Sequence, residues 1–216
     1  MRFLDWIAIH GPGYLDGLAL TAVIALLASL GAVLWGTVLM FIRSTAGRWG
    51  VAVVATYVQI LRNTPVLLPI YLIYFGLPEF GIYWPGVVCG GVALVLQNGA
   101  YVSEIFRGSF KAIDRVQFDA ARSLGLSPWA TFRRVTLPQL LVYSIPALGN
   151  QVVLLLKDTS LLSVIAVAEL TMHAKLLTER TAAAYQAFLV AAILYLLLVS
   201  LSEIAFRTAH RAVRWR

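Results

Sequence analysis

The sequence predicts an all-α, polytopic membrane protein with about five transmembrane helices. Of its 216 residues, 60% are hydrophobic and only 12% are charged, whereas soluble domains are about 45–50% apolar and about 25% charged. The mean hydropathy of +0.83 points the same way. Cys89 is the only cysteine, which excludes a disulfide scaffold and a metal cluster built on thiolates.

Long uncharged runs give the number and positions of the predicted helices. A helix needs about 20 apolar residues to cross the hydrocarbon layer. The whole chain, 1–216, is therefore one transmembrane domain with spans at about 17–42, 51–78, 82–106, 139–168 and 181–206. The first span is expected to begin after the breaker His10-Gly11-Pro12-Gly13, and the second contains Arg62 and Pro65. The runs do not alternate polar and apolar residues, which excludes membrane-spanning strands.

Basic residues predict the orientation. With the amino terminus outside and the carboxyl terminus in the cytoplasm, 12 of the 17 Lys and Arg residues fall on the inner side and 3 on the outer side. The inner ones are Arg43, Arg48, Arg107, Lys111, Arg115, Arg122, Arg133, Arg134, Arg207, Arg211, Arg214 and Arg216; the outer ones are Arg2, Lys175 and Arg180. Cytoplasmic loops carry this excess in membrane proteins. The net charge of +7 thus indicates membrane orientation rather than a nucleic-acid partner.

The segment 107–138, between the third and fourth spans, is too polar to cross the membrane and predicts two short helices. Asp114 is placed to cap the first helix, and Gly125 stands where a left-handed residue would end it. Ser127 and Pro128 are typical of the start of the second, which Leu137-Pro138 is expected to end. From the residues alone, this element is either an amphipathic hairpin on the membrane surface or a docking surface for a partner protein.

Residues in this segment resemble the EAA loop of ATP-binding-cassette (ABC) importer permeases. That signature is Glu-Ala-Ala, three residues, Gly, nine residues, Ile, any residue, Leu-Pro. The chain has Asp119-Ala120-Ala121, then Gly125, then Val135-Thr136-Leu137-Pro138, with Asp for Glu and Val for Ile. Further stretches resemble the polar amino acid uptake branch of that family: Leu61-Arg62-Asn63-Thr64-Pro65, Tyr74-Phe75-Gly76-Leu77-Pro78, Ala100-Tyr101 to Gly108, and Leu148-Gly149-Asn150 through Thr159-Ser160.

The resemblance implies a type I ABC importer permease fold with cytoplasmic coupling helices, in the bacterial inner membrane. It implies an ATP-driven, binding-protein-dependent importer of polar amino acids; the alternative is the same machinery importing an opine or an ectoine-like compatible solute. The implied partners are a like permease (as a homodimer or a heterodimer), two ATPase subunits, a periplasmic or lipid-anchored binding protein, and membrane lipid. It further implies that the coupling residues are Asp119, Ala120, Ala121, Gly125, Leu137 and Pro138.

This chain is expected to be a transporter subunit and not an enzyme. It contains no phosphate-binding loop of the Gly-x4-Gly-Lys-Ser/Thr type, so ATP and Mg²⁺ are expected to bind the partner ATPase and no cofactor is expected here. Its three histidines, His10, His173 and His210, have no metal-ligand spacing, and no metal site is expected. A membrane-embedded enzyme or sensor lacks support for the same reason, since no catalytic or metal motif is present.

Polar residues at membrane depth are costly and usually functional, and they give the candidate substrate pathway: Arg62, Asn150, Gln151, Lys157, Asp158 and Thr159. Asn150 and Lys157, like Gln151 and Asp158, are seven residues apart and align on a helix. Two alternatives stay open: Arg62 reaches the lipid phosphates, and the fourth helix ends near Leu156, which would leave Lys157 and Asp158 among the headgroups. Glu104 is expected to pair with Arg107.

Overall fold

The computed structural model describes residues 3–214, with side chains described from residue 9 to residue 212. Arg2, predicted on the outer side, and Arg216, predicted on the inner side, lie outside the described residues. Within residues 3–214 the chain forms helices joined by short turns, with no strand, so the prediction of an all-α fold is confirmed.

Nine α-helices and three non-α helical turns follow one another along the described chain. They are α1 (Phe3–Thr45), α2 (Gly47–Arg62), α3 (Leu67–Gly76), a 3₁₀ turn (Leu77–Phe80), α4 (Gly86–Lys111), α5 (Arg115–Ser123), α6 (Pro128–Thr131), a π turn (Phe132–Thr136), α7 (Leu137–Asp158), a 3₁₀ turn (Thr159–Ile165), α8 (Leu170–Thr181) and α9 (Ala184–Arg214). Four stretches are long and apolar enough to cross a membrane: Ile9–Thr45, Gly86–Lys111, Pro128–Ile165 and Ala184–Ala212.

The second predicted span is not one straight helix. It consists of α2 and α3, which meet at an angle of 103°. The break falls at Asn63-Thr64-Pro65, because proline lacks an N–H and disfavours the helical conformation in the residue before it. Counted as one broken span, the pair brings the number of candidate spans to 5.

The first helix is longer than the sequence predicts. It begins at Phe3 and runs through His10-Gly11-Pro12-Gly13, the residues expected to break it. A contact with a distant helix stabilises this part of α1. Tyr14 is buried, and its hydroxyl donates a 2.8 Å hydrogen bond to the carbonyl of Ala187 in α9. Tertiary packing therefore overrides the local preference of Gly and Pro.

The most extensive helix pair, α1 and α4, packs through glycine. A Cβ added at Gly36 of α1 would lie 2.6 Å from Val102 Cγ1 and 2.9 Å from the carbonyl oxygen of Gly99 in α4. Small residues at such positions let two backbones approach closely, as in many membrane helix pairs. This packing holds α4 at the centre of the bundle, where it contacts α1, α2, α3 and α7.

Candidate functional site

The segment between α4 and α7 is a compact, capped element. The side chain of Asp114 accepts a 3.0 Å hydrogen bond from the Val116 amide at the start of α5. Gly125 has a φ of +71°, and the amide of Leu126 donates to the carbonyl of Ala121 at 3.1 Å, the bond that closes a Schellman motif. Ser127 accepts from the Ala130 amide at 3.3 Å at the start of α6. The predicted caps are therefore confirmed.

The residues of the Asp-Ala-Ala signature divide between core and surface. Ala121 is buried, whereas Asp119 forms an exposed ion pair with Arg122 one turn further along α5, and Ala120 is exposed. Phe118, on the inner side, packs its ring against Phe110 of α4, with ring centroids 6.0 Å apart. One face of α5 is thus fixed to the membrane domain, and the other is free to contact another molecule.

Several large apolar side chains on this segment are exposed. Val116, Leu124 and Trp129 are 65%, 78% and 69% exposed, and Trp129 stacks on Phe132 with centroids 5.7 Å apart. Several large exposed apolar side chains on one polar segment are typical of a protein–protein contact surface. We call these four residues (Val116, Leu124, Trp129 and Phe132) the apolar patch.

Leu137 and Pro138 do not end a helix, which corrects the sequence-based expectation. The chain is helical from Pro128 through Asp158, with a π turn at Phe132–Thr136. In that turn the Leu137 amide donates to the carbonyl of Phe132, five residues back. Pro138 has no N–H and its ring clashes with a regular turn, and a wider π turn relieves such a clash. The end of the segment is therefore continuous in helical backbone with α7.

A second group of polar residues lies within the bundle and joins three helices. Gln151 of α7 donates a 2.7 Å hydrogen bond to the side-chain oxygen of Asn98 in α4. The neighbouring Gln97 donates to the backbone carbonyls of Leu61 and Thr64, at 3.1 and 2.8 Å. Gln97 and Asn98 are both buried, so α4 links the break after α2 to the polar face of α7.

The remaining α7 candidates lie on two faces. Asn150 and Lys157 are both exposed, Asp158 is half-buried beside them, and Gln151 is half-buried, in agreement with the seven-residue alignment. Thr159 differs, because it is fully buried and its hydroxyl donates to the Leu156 carbonyl at 2.7 Å. α7 ends at Asp158, two residues past Leu156, and a 3₁₀ turn continues the helical path to Ile165.

Arg62 belongs to an ion cluster around Glu104. Its guanidinium lies 3.9 Å from the Glu104 carboxylate and stacks over the ring of Tyr101 at 5.2 Å. Glu104 also accepts hydrogen bonds from Arg43 at 2.7 Å and from Arg107 at 2.9 and 3.0 Å. The predicted pair of Glu104 with Arg107 is confirmed, and it is part of a cluster that joins α1, α2 and α4. Among the described side chains, Arg62 forms no hydrogen bond to α7.

Sequence reasoning missed Gln97 and Asn98. Two adjacent amides in an otherwise uncharged run are a detectable signal, but their partners are 33 to 53 residues away along the chain. It also missed the role of Glu169, which is fully buried and caps α8 by accepting from the amides of Thr171 and Met172. The hydroxyl of Tyr195 in α9 donates to the same carboxylate at 2.6 Å.

Comparison with known proteins identifies the kind of molecule. Residues 32–215 match the family model described as "Binding-protein-dependent transport system inner membrane component". The chain is 38% identical over 170 residues to a probable amino-acid ABC transporter permease protein, y4tG, of Sinorhizobium fredii, covering 79% of this chain and 74% of that protein. It is 32% identical over 218 residues to the glutamine transport system permease protein GlnP of Escherichia coli K12, covering 99% of both.

A solved structure shows the same architecture. The chain matches a protein in the structure titled "Crystal structure of an amino acid ABC transporter with histidines" with a TM-score of 0.91 and 31% sequence identity, covering 98% of this chain and 99% of that one. The prediction of an importer permease fold, and of a transporter subunit rather than an enzyme, is confirmed. The chain is a member of the family of inner membrane components of binding-protein-dependent transport systems.

Proposed function

We propose that this permease subunit imports polar amino acids in an ATP-driven complex, with its amino terminus outside and its carboxyl terminus in the cytoplasm. The relatives and the solved structure named above are described as amino-acid or glutamine transporters. This favours an amino acid as the substrate over an opine or a compatible solute. The distribution of basic residues supports the orientation. Family membership implies an ATPase and a substrate-binding protein as partners.

The observation that carries the coupling role is the apolar patch on a rigid, capped segment. The sequence holds no phosphate-binding loop, so the energy of ATP hydrolysis has to enter through contact with another subunit. The patch offers aromatic and aliphatic side chains of the kind that fill a partner's groove. The π turn then joins the patch directly to α7. We therefore assign ATPase docking to the segment around Asp119 and Gly125.

The exposed polar face of α7 supports a pathway between two permease subunits. Asn150 and Lys157 belong to the candidate span Pro128–Ile165, and both are exposed on the surface of this chain. A charged side chain facing lipid within the membrane costs about 2.5–3.5 kcal/mol on insertion scales, and a water-filled pathway removes this cost. A second permease, identical or similar, would close the pathway from the other side, and Asp158 and Gln151 would lie at its edge.

Purification and reconstitution test this function. The chain is co-expressed with its candidate partners, purified in mild detergent, and its companions are identified by mass spectrometry. The complex is then placed in liposomes, and uptake of labelled amino acids is measured with and without ATP and binding protein. We expect an ATPase to co-purify and uptake to require both additions. Uptake without ATP, or the absence of any ATPase from a monodisperse complex, would contradict the proposal; saturable uptake of an opine but of no amino acid would favour the alternative substrate.

A further inference from the structure

A basic cavity lies beside the ion cluster, where α1 ends and α2 begins. Its volume is about 540 Å³, and its walls come from α1, α2, α4 and the segment that leads into α7. Most of the lining is apolar, with Leu39, Val54 and Leu140 among the wall residues. Three basic residues also line it, Arg43, Arg107 and Lys111, and none of the described lining residues is acidic.

The charges around this cavity do not balance. Glu104 is the neighbouring carboxylate, and it already accepts hydrogen bonds from both Arg43 and Arg107. Lys111 lies one helical turn beyond Arg107, on the same side of α4. It is exposed and forms no ion pair among the described side chains. The cavity therefore keeps an excess of positive charge that one carboxylate cannot neutralise, and an anionic ligand would complete it.

We propose that this cavity binds an anionic phospholipid of the cytoplasmic leaflet. Its phosphate would lie between Arg107 and Lys111, with Arg43 behind, and an acyl chain would follow the apolar walls. Basic pockets between transmembrane helices on the cytoplasmic side bind anionic headgroups, and a free phosphate ion would leave the apolar part of this cavity unfilled. The charge and the apolar walls together favour a lipid over a second copy of the chain.

The cavity also contacts the coupling element. Phe132 and Thr136, the two ends of the π turn, line it. A lipid in the cavity would therefore touch the turn that joins the apolar patch to α7, so the bound lipid would stabilise one position of that turn. The leaflet assignment rests on the proposed orientation of the chain, whereas lipid binding itself does not.

The test compares two variants that each remove one positive charge from the same end of the bundle. Lys111→Gln removes the unpaired cation of the cavity, and Arg211→Gln removes an exposed cation of α9 outside it. Each complex is reconstituted in nanodiscs of equal phosphatidylglycerol and phosphatidylcholine, re-extracted in mild detergent, and its retained lipid is quantified by mass spectrometry. Reagent labelling of a cysteine at position 212 reports the orientation separately.

We expect the parent and Arg211→Gln complexes to retain phosphatidylglycerol in preference to phosphatidylcholine. We expect Lys111→Gln to lower that preference about fivefold, the factor that corresponds to about 1 kcal/mol per basic residue near an anionic leaflet. Equal retention in all three complexes, or equal loss in both variants, would overturn the proposal. A disulfide between two permease copies through Ser44→Cys at the cavity rim, formed in every complex, would overturn it as well, because the cavity would then be a subunit interface.

Discussion

The side chain of Gln151 in α7 donates a 2.7 Å hydrogen bond to the side-chain oxygen of Asn98 in α4. This bond joins the helix that follows the coupling segment to the central helix of the bundle. Asn98, which is buried, in turn donates to the carbonyl of Leu94 in its own helix at 2.9 Å, so its amide is held by a second contact. The pair is a polar contact within the wider packing of α7 against α4.

Replacing either side chain should destabilise the complex. Replacing both should lower the stability by less than the sum of the two single losses. Asn98→Ala or Gln151→Met each leaves an amide without a partner, which costs about 1–3 kcal/mol, whereas the double variant leaves no unpaired amide. Thermal unfolding of the purified complex measures the effect. Thr37→Val, which removes an exposed hydroxyl bonded only within α1, is the control and should change little. Strictly additive losses would show that the two side chains do not interact.

Gly125→Val should uncouple the permease from its ATPase without preventing membrane insertion. At a φ of +71° a side chain costs about 1–2 kcal/mol, and a β-branched one is the least tolerated. No atom lies within 4 Å of the added Cβ, so the loss comes from backbone conformation and not from a clash. ATPase co-purification and substrate-stimulated ATP hydrolysis are the measurements.

Gly108→Val is the matched control for this prediction. Gly108 lies in α4, and a Cβ there also meets no atom within 4 Å, but its backbone is helical. Gly108→Val should therefore behave as the parent protein. Asparagine tolerates the left-handed conformation better than valine, so Gly125→Asn should retain part of the coupling that Gly125→Val loses. Uptake at the parental rate by Gly125→Val would show that the segment does not dock the ATPase.

Asp158→Asn and Lys157→Met should each lower uptake by about tenfold, the effect of about 1.4 kcal/mol of lost stabilisation of the transport step. Both changes keep the approximate shape and remove a charge from the proposed pathway. Assembly with the ATPase should be unchanged in the same preparations. Glu203→Gln removes an exposed charge paired with Arg207 in α9 and should leave uptake intact. If both pathway variants transport at the parental rate, the pair is interfacial and the pathway assignment is wrong.

Cysteine labelling should give an alternating topology. Cysteines are introduced singly at Thr45, Phe80, Ala120, Lys175 and Ala212 after replacement of Cys89, the only cysteine of the chain. With the amino terminus outside, a membrane-impermeant reagent applied to intact cells should label only positions 80 and 175, and permeabilised cells should label all five. Labelling of position 45 or 120 in intact cells would show that the orientation is the reverse of the one proposed.

Local sequence patterns predicted much of the coupling segment correctly. Asp114, Gly125 and Ser127 act on backbone groups within a few residues of themselves, and such contacts depend on short-range spacing alone. The break at Pro65 also follows from the geometry of proline, but residues 51–78 were predicted as one span and the break was not predicted. The continuity through Pro138 was not predicted, because the sequence does not show whether a π turn will form in place of a helix end.

The sequence by itself determined the membrane class, the approximate positions of the spans and the caps of the coupling segment, because hydropathy and capping act over a few residues to one helix length. Only the tertiary structure decided which polar residues meet: Asn98 with Gln151, Arg43 and Arg62 with Glu104, and Tyr14 with the Ala187 carbonyl 173 positions away. These contacts depend on how the helices pack and rotate against one another, and small residues such as Gly36 and Gly99 set that packing through contacts across helices. A linear pattern does not encode it, since each helix face has several possible partners in the bundle.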